Sequence, residues 1–275
     1  MLNTREIMDT ALNLAGLKEV PADSGVIVEG ERISKVAFGI DIEVAELLLA
    51  RELGVDAVIT HHPRGGLPMV EFHNVMENQI ERMVQAGVPI NKAQKVLRER
   101  VEQVSRAHHV ANYDRLVSAA KLLGMPLLTI HTPADILAEK FVQKHLDKNL
   151  KKFARPTLGD VIKILEKLPE YKKTLAKPVA RVGKEDEFAG RVFVTMAGGT
   201  GGGEKVARAY FEAGVGTLVV MHMADDTIKA VKKQGIGNVV VAGHMASDSV
   251  GINQVIGALE SRGLEVLRMS GVIDP

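Results

Sequence analysis

The chain is predicted to be an α/β protein made of two similar lobes. Three observations predict it. Short apolar runs that suit buried strands alternate with amphipathic runs at helical spacing. A nine-residue pattern recurs: Gly54-Val55-Asp56-Ala57-Val58-Ile59-Thr60-His61-His62 aligns with Gly214-Val215-Gly216-Thr217-Leu218-Val219-Val220-Met221-His222, which pairs His62 with His222. Four apolar runs end in histidine, at His61-His62, His131, His222 and His244, in a chain with 9 histidines. Strand carboxyl ends are where open α/β sheets bind ligands.

The elements follow in order. Residues 4–17 have a helical pattern with Thr4 as its N-cap. Residues 23–30 read as a strand and turn, 35–40 as a strand, 42–53 as a helix and 57–60 as the strand before His61. Pro63 stops that strand, since proline cannot extend a central ladder. Three charged helices are expected at 76–86, 92–107 and 113–123, the first two separated by Gly87-Val88-Pro89. A strand at 126–130 leads to His131, and helices are expected at 136–150 and 158–167. Residues 171–187 are polar and read as a connector. A strand at 191–196 enters the glycine run Gly198-Gly199-Thr200-Gly201-Gly202-Gly203 and a helix at 204–213. Strands ending at His222 and His244, helices at 225–234 and 251–262, and a last strand near 264–267 complete the chain. The lobes are placed at about 1–170, with a helical insertion at about 74–123, and about 188–275.

Composition narrows the chemistry. The formal net charge is +1, so no overall field marks a nucleic-acid binder. A lysine-rich helix end near 144–152 has no aromatic platform beside it and reads as a solvated face. No cysteine is present, so any metal must be held by histidine and carboxylate. The first sixteen residues lack the basic start and apolar core of a signal peptide, and no apolar run is long enough for a bilayer. A cytoplasmic protein without membrane partners is expected.

Asp135, Asp226 and Asp248 each follow a strand-end histidine within four residues. His61, His62, His131, His222, His244, Asp135 and Asp248 therefore form a mixed nitrogen and oxygen donor set. Zinc, iron, manganese and nickel all suit it. Adjacent strand residues point to opposite sides, so His61 and His62 serve two ions more naturally than they chelate one. Two bridged ions favour hydrolysis. The glycine run before a helix offers N–H groups to an anion at Gly199, Thr200, Gly201 and Gly202, or is a tight turn. It is not a Walker A loop, because Glu204-Lys205 follows Gly203. His108, His109 and Asp114 form a further polar cluster, which also reads as a helix cap.

Three of these stretches resemble the signatures of the NIF-three-like (NGG-one-interacting factor three) proteins, many of them labelled GTP cyclohydrolase I type 2 homologues. They are Thr60-His61-His62-Pro63, then His131-Thr132-Pro133-Ala134-Asp135, then Gly243-His244-Met245-Ala246-Ser247-Asp248-Ser249-Val250-Gly251. The resemblance implies two α/β lobes around a two-metal site in the cleft between them. Its ligands carry over to His61, His62, Asp135, His244 and Asp248. Beside them, the reaction would need a proton donor such as His131, and His222 is expected as an extra ligand or acid/base. It also implies a ring-shaped homo-oligomer, a hexamer, and a hydrolase acting on a purine nucleotide; the alternative is a non-enzymatic metal-binding regulatory or chaperone-like oligomer. Asp248 stands where the family has glutamate, one methylene longer. His222 stands where the family often has an acid, and the stretch between His62 and His131 is longer than usual.

Overall fold

The computed structural model describes residues 1–275. It contains two compact units: Met1–Val75 with Val104–Leu137 and Asp248–Asp274, and Met76–Gln103 with Ala138–Ser247 and Pro275. No helix is long and apolar enough to cross a membrane.

The first unit is built on a five-stranded sheet. Its strands are β1 (Gly25–Val28), β2 (Lys35–Gly39), β3 (Ala57–Thr60), β4 (Leu127–Thr129) and β9 (Glu265–Met269), in the order β1-β4-β3-β2-β9. All neighbours are parallel except β1, which runs antiparallel to β4. Side-chain alternation splits the core between two faces. Phe38, Ile59 and Leu128 pack with α1 (Thr4–Ala15) and with Ile252, Val255, Ile256 and Leu259 of α12 (His244–Ser261). Ala37, Val58 and Leu127 pack with Leu47 and Ala50 of α2 (Val44–Glu52) and Leu116 and Ala120 of α6 (Arg115–Leu123). Burial of both faces explains the unbroken apolar character of β3 and β4. The cap of α1 is Asn3, one residue earlier than expected, in a reciprocal box with Glu6.

The second unit carries a four-stranded sheet: β5 (Val179–Val182), β6 (Val192–Thr195), β7 (Thr217–Val220) and β8 (Asn238–Val241), in the order β5-β8-β7-β6. Only β5 is antiparallel to its neighbour. Helices α4 (Asn78–Gln85), α10 (Glu204–Glu212) and α11 (Asp225–Gln234) belong to this unit.

The two sheets are duplicates in detail. Gly39 pairs with Thr60 and Thr60 with Thr129 in the first; Thr195 pairs with Val220 and Val220 with Val241 in the second. Both antiparallel edges carry an irregularity at the same place, between Val26 and Val28 and between Ala180 and Val182. Both helix-to-strand turns use a left-handed glycine, Gly54 and Gly214. In this register His62 matches His222, as the repeat predicts.

Several sequence boundaries move. The four histidine-ended strands divide two to each sheet, as two similar lobes require: β3 and β4 are neighbours in the first, β7 and β8 in the second. The last strand, β9, joins the first sheet beside β2 rather than extending the second lobe. The insertion at 74–123 divides, α4 falling in the second unit and α6 in the first. The connector at 171–187 contains β5; an edge strand with Arg181 exposed and only Val182 buried tolerates polar flanks, which hid it. Helix α7 (Thr132–Leu150) starts before Asp135 and α12 starts at His244, seven residues before its expected start. Glycines at 251 and 257 weaken the helical signal there.

Gly216 marks a tight approach in the duplicate. A Cβ there would lie 2.6 Å from the Ala189 carbonyl oxygen and 2.9 Å from the Arg191 nitrogen, both backbone atoms that cannot yield cheaply. Gly216→Ala is expected to cost roughly 1–3 kcal/mol. Urea denaturation checks this, and an unchanged midpoint would mean that the strand entry relaxes freely.

Candidate metal centre

In the first unit, β3 and β4 deliver three histidines to one edge. His61 follows β3 directly, and its backbone N–H donates to the Gly39 carbonyl, so the ladder holds it in place. Its Nδ1 donates to the Ile130 carbonyl at 3.0 Å. His62 Nδ1 donates to Asp41 Oδ1 at 3.0 Å. His131 Nδ1 donates to Asp23 Oδ2 at 2.7 Å. Each Nδ1 is thereby occupied, and Nε2 becomes the presented atom. One ring nitrogen from each of the three lies within 4.8 Å of those of the other two.

Two buried carboxylates complete the cluster. Asp135, in the first turn of α7, places Oδ1 3.4 Å from His61 Nε2 and Oδ2 3.8 Å from His131 Nε2. Asp248, in α12, places Oδ1 3.7 Å from His61 Nε2 and Oδ2 3.6 Å from His62 Nε2. Each carboxylate thus faces two imidazoles, and both face His61. These separations are too long for good hydrogen bonds. They approach the spacing of two donors that share an ion, each about 2.0–2.2 Å from it. Asp135 Oδ1 is buried and makes no hydrogen bond, an expensive arrangement that a cation would relieve. The donor set therefore fits a divalent transition ion.

Proton affinities reflect this crowding. Burial opposes charge on His61, yet Asp248 and Asp135 together raise its pKa well above the usual imidazole value. His131 is also raised: burial opposes, and Asp135 and Asp23 prevail. His62 falls to about 3, through burial and then the neighbouring charges of His61 and His131. Asp23 is held below its ordinary value despite complete burial, chiefly by His131.

The remaining expected residues lie in the second unit. The rings of His222 and His244 are adjacent, with centroids 4.6 Å apart and planes inclined at 60°, and Asp226 is exposed in the first turn of α11. His244 is the first residue of α12, one turn before Asp248, so the two share a face of that helix. Register sets His131 against Gly243, not His244, so the strand-and-histidine device is not strictly repeated. The glycine run is held through its carbonyls. Gln79 Nε2 donates to Gly198 and Thr200 oxygens, both at 2.7 Å, and Arg100 Nε to the Gly201 oxygen at 3.1 Å. Buried Glu139 accepts the Met196 and Ala197 N–H groups and pairs with Arg82. His108 packs edge-on to Phe72, whose ring also lies 5.4 Å from His131.

Sequence reasoning missed Asp23 and Asp41. Neither sits beside a histidine in the chain. The fold brings Asp23 to His131 only because β1 pairs with β4.

These features define an internally duplicated α/β protein with a buried histidine–carboxylate centre at one sheet edge. The chain is similar to the crystal structure of a NIF3 superfamily protein from Sphaerobacter thermophilus, at 40% identity, 98% of each chain and a TM-score of 0.95. It therefore belongs to the NIF3 superfamily. Its fold is also similar to that of reduced HcgD from Methanocaldococcus jannaschii, at 15% identity, 98% of each chain and a TM-score of 0.57. A Bacillus cereus protein related to NIF3 matches at 12% identity, 97% of this chain, 96% of that one and a TM-score of 0.55. No family model matches the chain, and no curated protein matches it.

Because the pKa values of His61 and His131 are raised in the metal-free protein, an ion that takes their nitrogens competes with protons. Zinc affinity is expected to rise with pH until the raised pKa values are passed and to level off above them, with protons released on binding. Titration calorimetry in buffers of different ionisation enthalpy measures the release. Affinity independent of pH would place the ion elsewhere.

Proposed function

We propose that this chain is a metal-dependent hydrolase whose centre takes two divalent transition ions. One observation carries the reading: three imidazoles are anchored through Nδ1 with Nε2 turned toward two buried carboxylates. Structural pairs of histidine and aspartate bond to each other directly; here the partners stand 3.4–3.8 Å apart around a common region. Ions held there would supply Lewis acidity and an activated water. The chain's own residues do the rest. Asp135 and Asp248 each offer one oxygen to either side, which suits a bridging role. The shorter Asp248 is accommodated because both its oxygens already face imidazoles. His131 has Nδ1 committed to Asp23, so Nε2 is the one atom it can turn to the centre, as a ligand to an ion or, in turnover, as a proton donor. His244 and His222 are the further donors in this reading.

The specific candidate is a ring-opening hydrolysis of a purine nucleotide, as in the GTP cyclohydrolase I type 2 homologues. Gly199, Thr200, Gly201 and Gly202 remain the proposed contact for its phosphates. The carbonyl anchoring by Gln79 fixes the loop's shape and also supplies a purely structural reason for it. A second reading is a metal-binding homo-oligomer, a hexamer, that acts through a protein partner. The exposed leucines Leu49 and Leu53 at the end of α2 and Leu122 of α6 favour an assembly surface, at 50%, 46% and 89% exposure.

Turnover of a nucleotide panel by metal-loaded protein separates the two. The hydrolase reading expects turnover that Asp248→Asn abolishes with metal content restored and oligomer unchanged. No turnover of any nucleotide by fully loaded wild type would favour the binding protein. Light scattering is expected to give a stable oligomer, and a monomer at micromolar concentration would contradict it.

A further inference from the structure

The duplication supplies a control for several residues of the centre. Strand register aligns Thr60 with Val220, Thr129 with Val241 and Gly25 with Val179. Counting outward along the chain, His61 matches Met221, His131 matches Gly243 and Asp135 matches Ser247. Asp23 matches Lys177, and Ser24 matches Pro178. The second unit therefore builds the same antiparallel edge and the same strand-to-helix turn without the acid and without the imidazole. At the matching turn, Tyr171 donates to Ser247 Oγ at 2.9 Å, and Ser247 donates to the Gly243 carbonyl at 2.7 Å. The fold does not need a charged pair here.

Asp23 is nonetheless 0% exposed, and His131 is 4% exposed. Burying an ionised carboxylate is costly unless it is paired and hydrogen-bonded. Asp23 is fully provided for. Oδ2 accepts His131 Nδ1–H and the Thr132 hydroxyl, each at 2.7 Å, and Oδ1 accepts the Ser24 hydroxyl at 3.2 Å. The Ser24 hydroxyl also accepts the His131 backbone N–H at 3.1 Å. Side chain and main chain of His131 are thus both fixed from the segment that precedes β1. The imidazole cannot rotate without breaking the Asp23 bond, and Nε2 is left toward Asp135.

We propose that Asp23 is a positioning residue: acting through His131, it selects the nitrogen that this imidazole presents to the metal centre. This rests on the metal-centre reading above. Carboxylate–histidine–metal arrangements are the usual means of fixing a ligand's tautomer, and loss of the outer partner typically costs about 10–100-fold in metal affinity.

The test combines side-chain ¹⁵N NMR at mildly alkaline pH with zinc competition, on wild type, Asp23→Asn and Asp23→Ser. The proposal expects wild-type His131 to carry its proton on Nδ1 in the metal-free protein. Asp23→Asn can turn its amide N–H₂ toward the ring, so the proton is expected on Nε2, as for a triad aspartate replaced by asparagine. Asp23→Ser removes the acceptor and guards against misfolding of the first variant. Zinc affinity is expected to fall about 10–100-fold in both. A wild-type tautomer and affinity in both folded variants would overturn the proposal. If wild type itself binds no zinc, the metal reading fails, while the tautomer still decides whether Asp23 sets the ring. A changed affinity with an unchanged tautomer would also refute the positioning role.

Discussion

The centre depends on one constraint: an imidazole has two nitrogens, and the protein must decide which one the site receives. Three different acceptors make the same decision. The Ile130 carbonyl, Asp41 and Asp23 each take an Nδ1–H, so three Nε2 atoms face inward. The Ile130 contact costs no extra residue. Parallel pairing of β3 with β4 places a strand-end carbonyl where His61 needs it. The other two acceptors are added carboxylates, one half-exposed and one completely buried, and the buried one requires its own cradle of hydroxyls. Asp135 and Asp248 are then left with imidazole nitrogens near them at distances that hydrogen bonds would not choose.

Duplication explains how such a cluster is supported. Two sheets of the same register divide the burden unequally. The first has Asp23, His61, His131 and Asp135 where the second has Lys177, Met221, Gly243 and Ser247; His62 is matched by His222, and Asp248 lies on α12, the helix that follows β8. Residues that differ between two copies of one architecture are freed from architectural duty. Their chemistry is best understood as belonging to the site.

Much of this was legible in the chain. The unbroken apolar runs of β3 and β4 announced strands buried on both faces, and Pro63 fixed where β3 ends. His61 and His62 were therefore placed at a strand end by sequence alone, and the recurring nine residues carried the duplication. What escaped was non-local or weakly encoded. Asp23 lies 108 positions from His131, and only the β1–β4 pairing joins them. The half-exposed β5 lacks the apolar run that marks a central strand. The start of α12 was obscured by small residues and by Gly251. The place of β9 beside β2 follows from pairing across the length of the chain, which no local pattern specifies.

The most direct measurement is a crystal structure of protein purified without chelator, with data collected on both sides of the absorption edge of the metal found by elemental analysis. The account predicts anomalous density within about 2.3 Å of His61 Nε2 and of carboxylate oxygens from Asp135 and Asp248, with a second peak roughly 3.5–4 Å from the first. His131 Nδ1 should remain on Asp23. Anomalous density bound elsewhere, or His61 bonded directly to Asp135 with no peak between them, would contradict it.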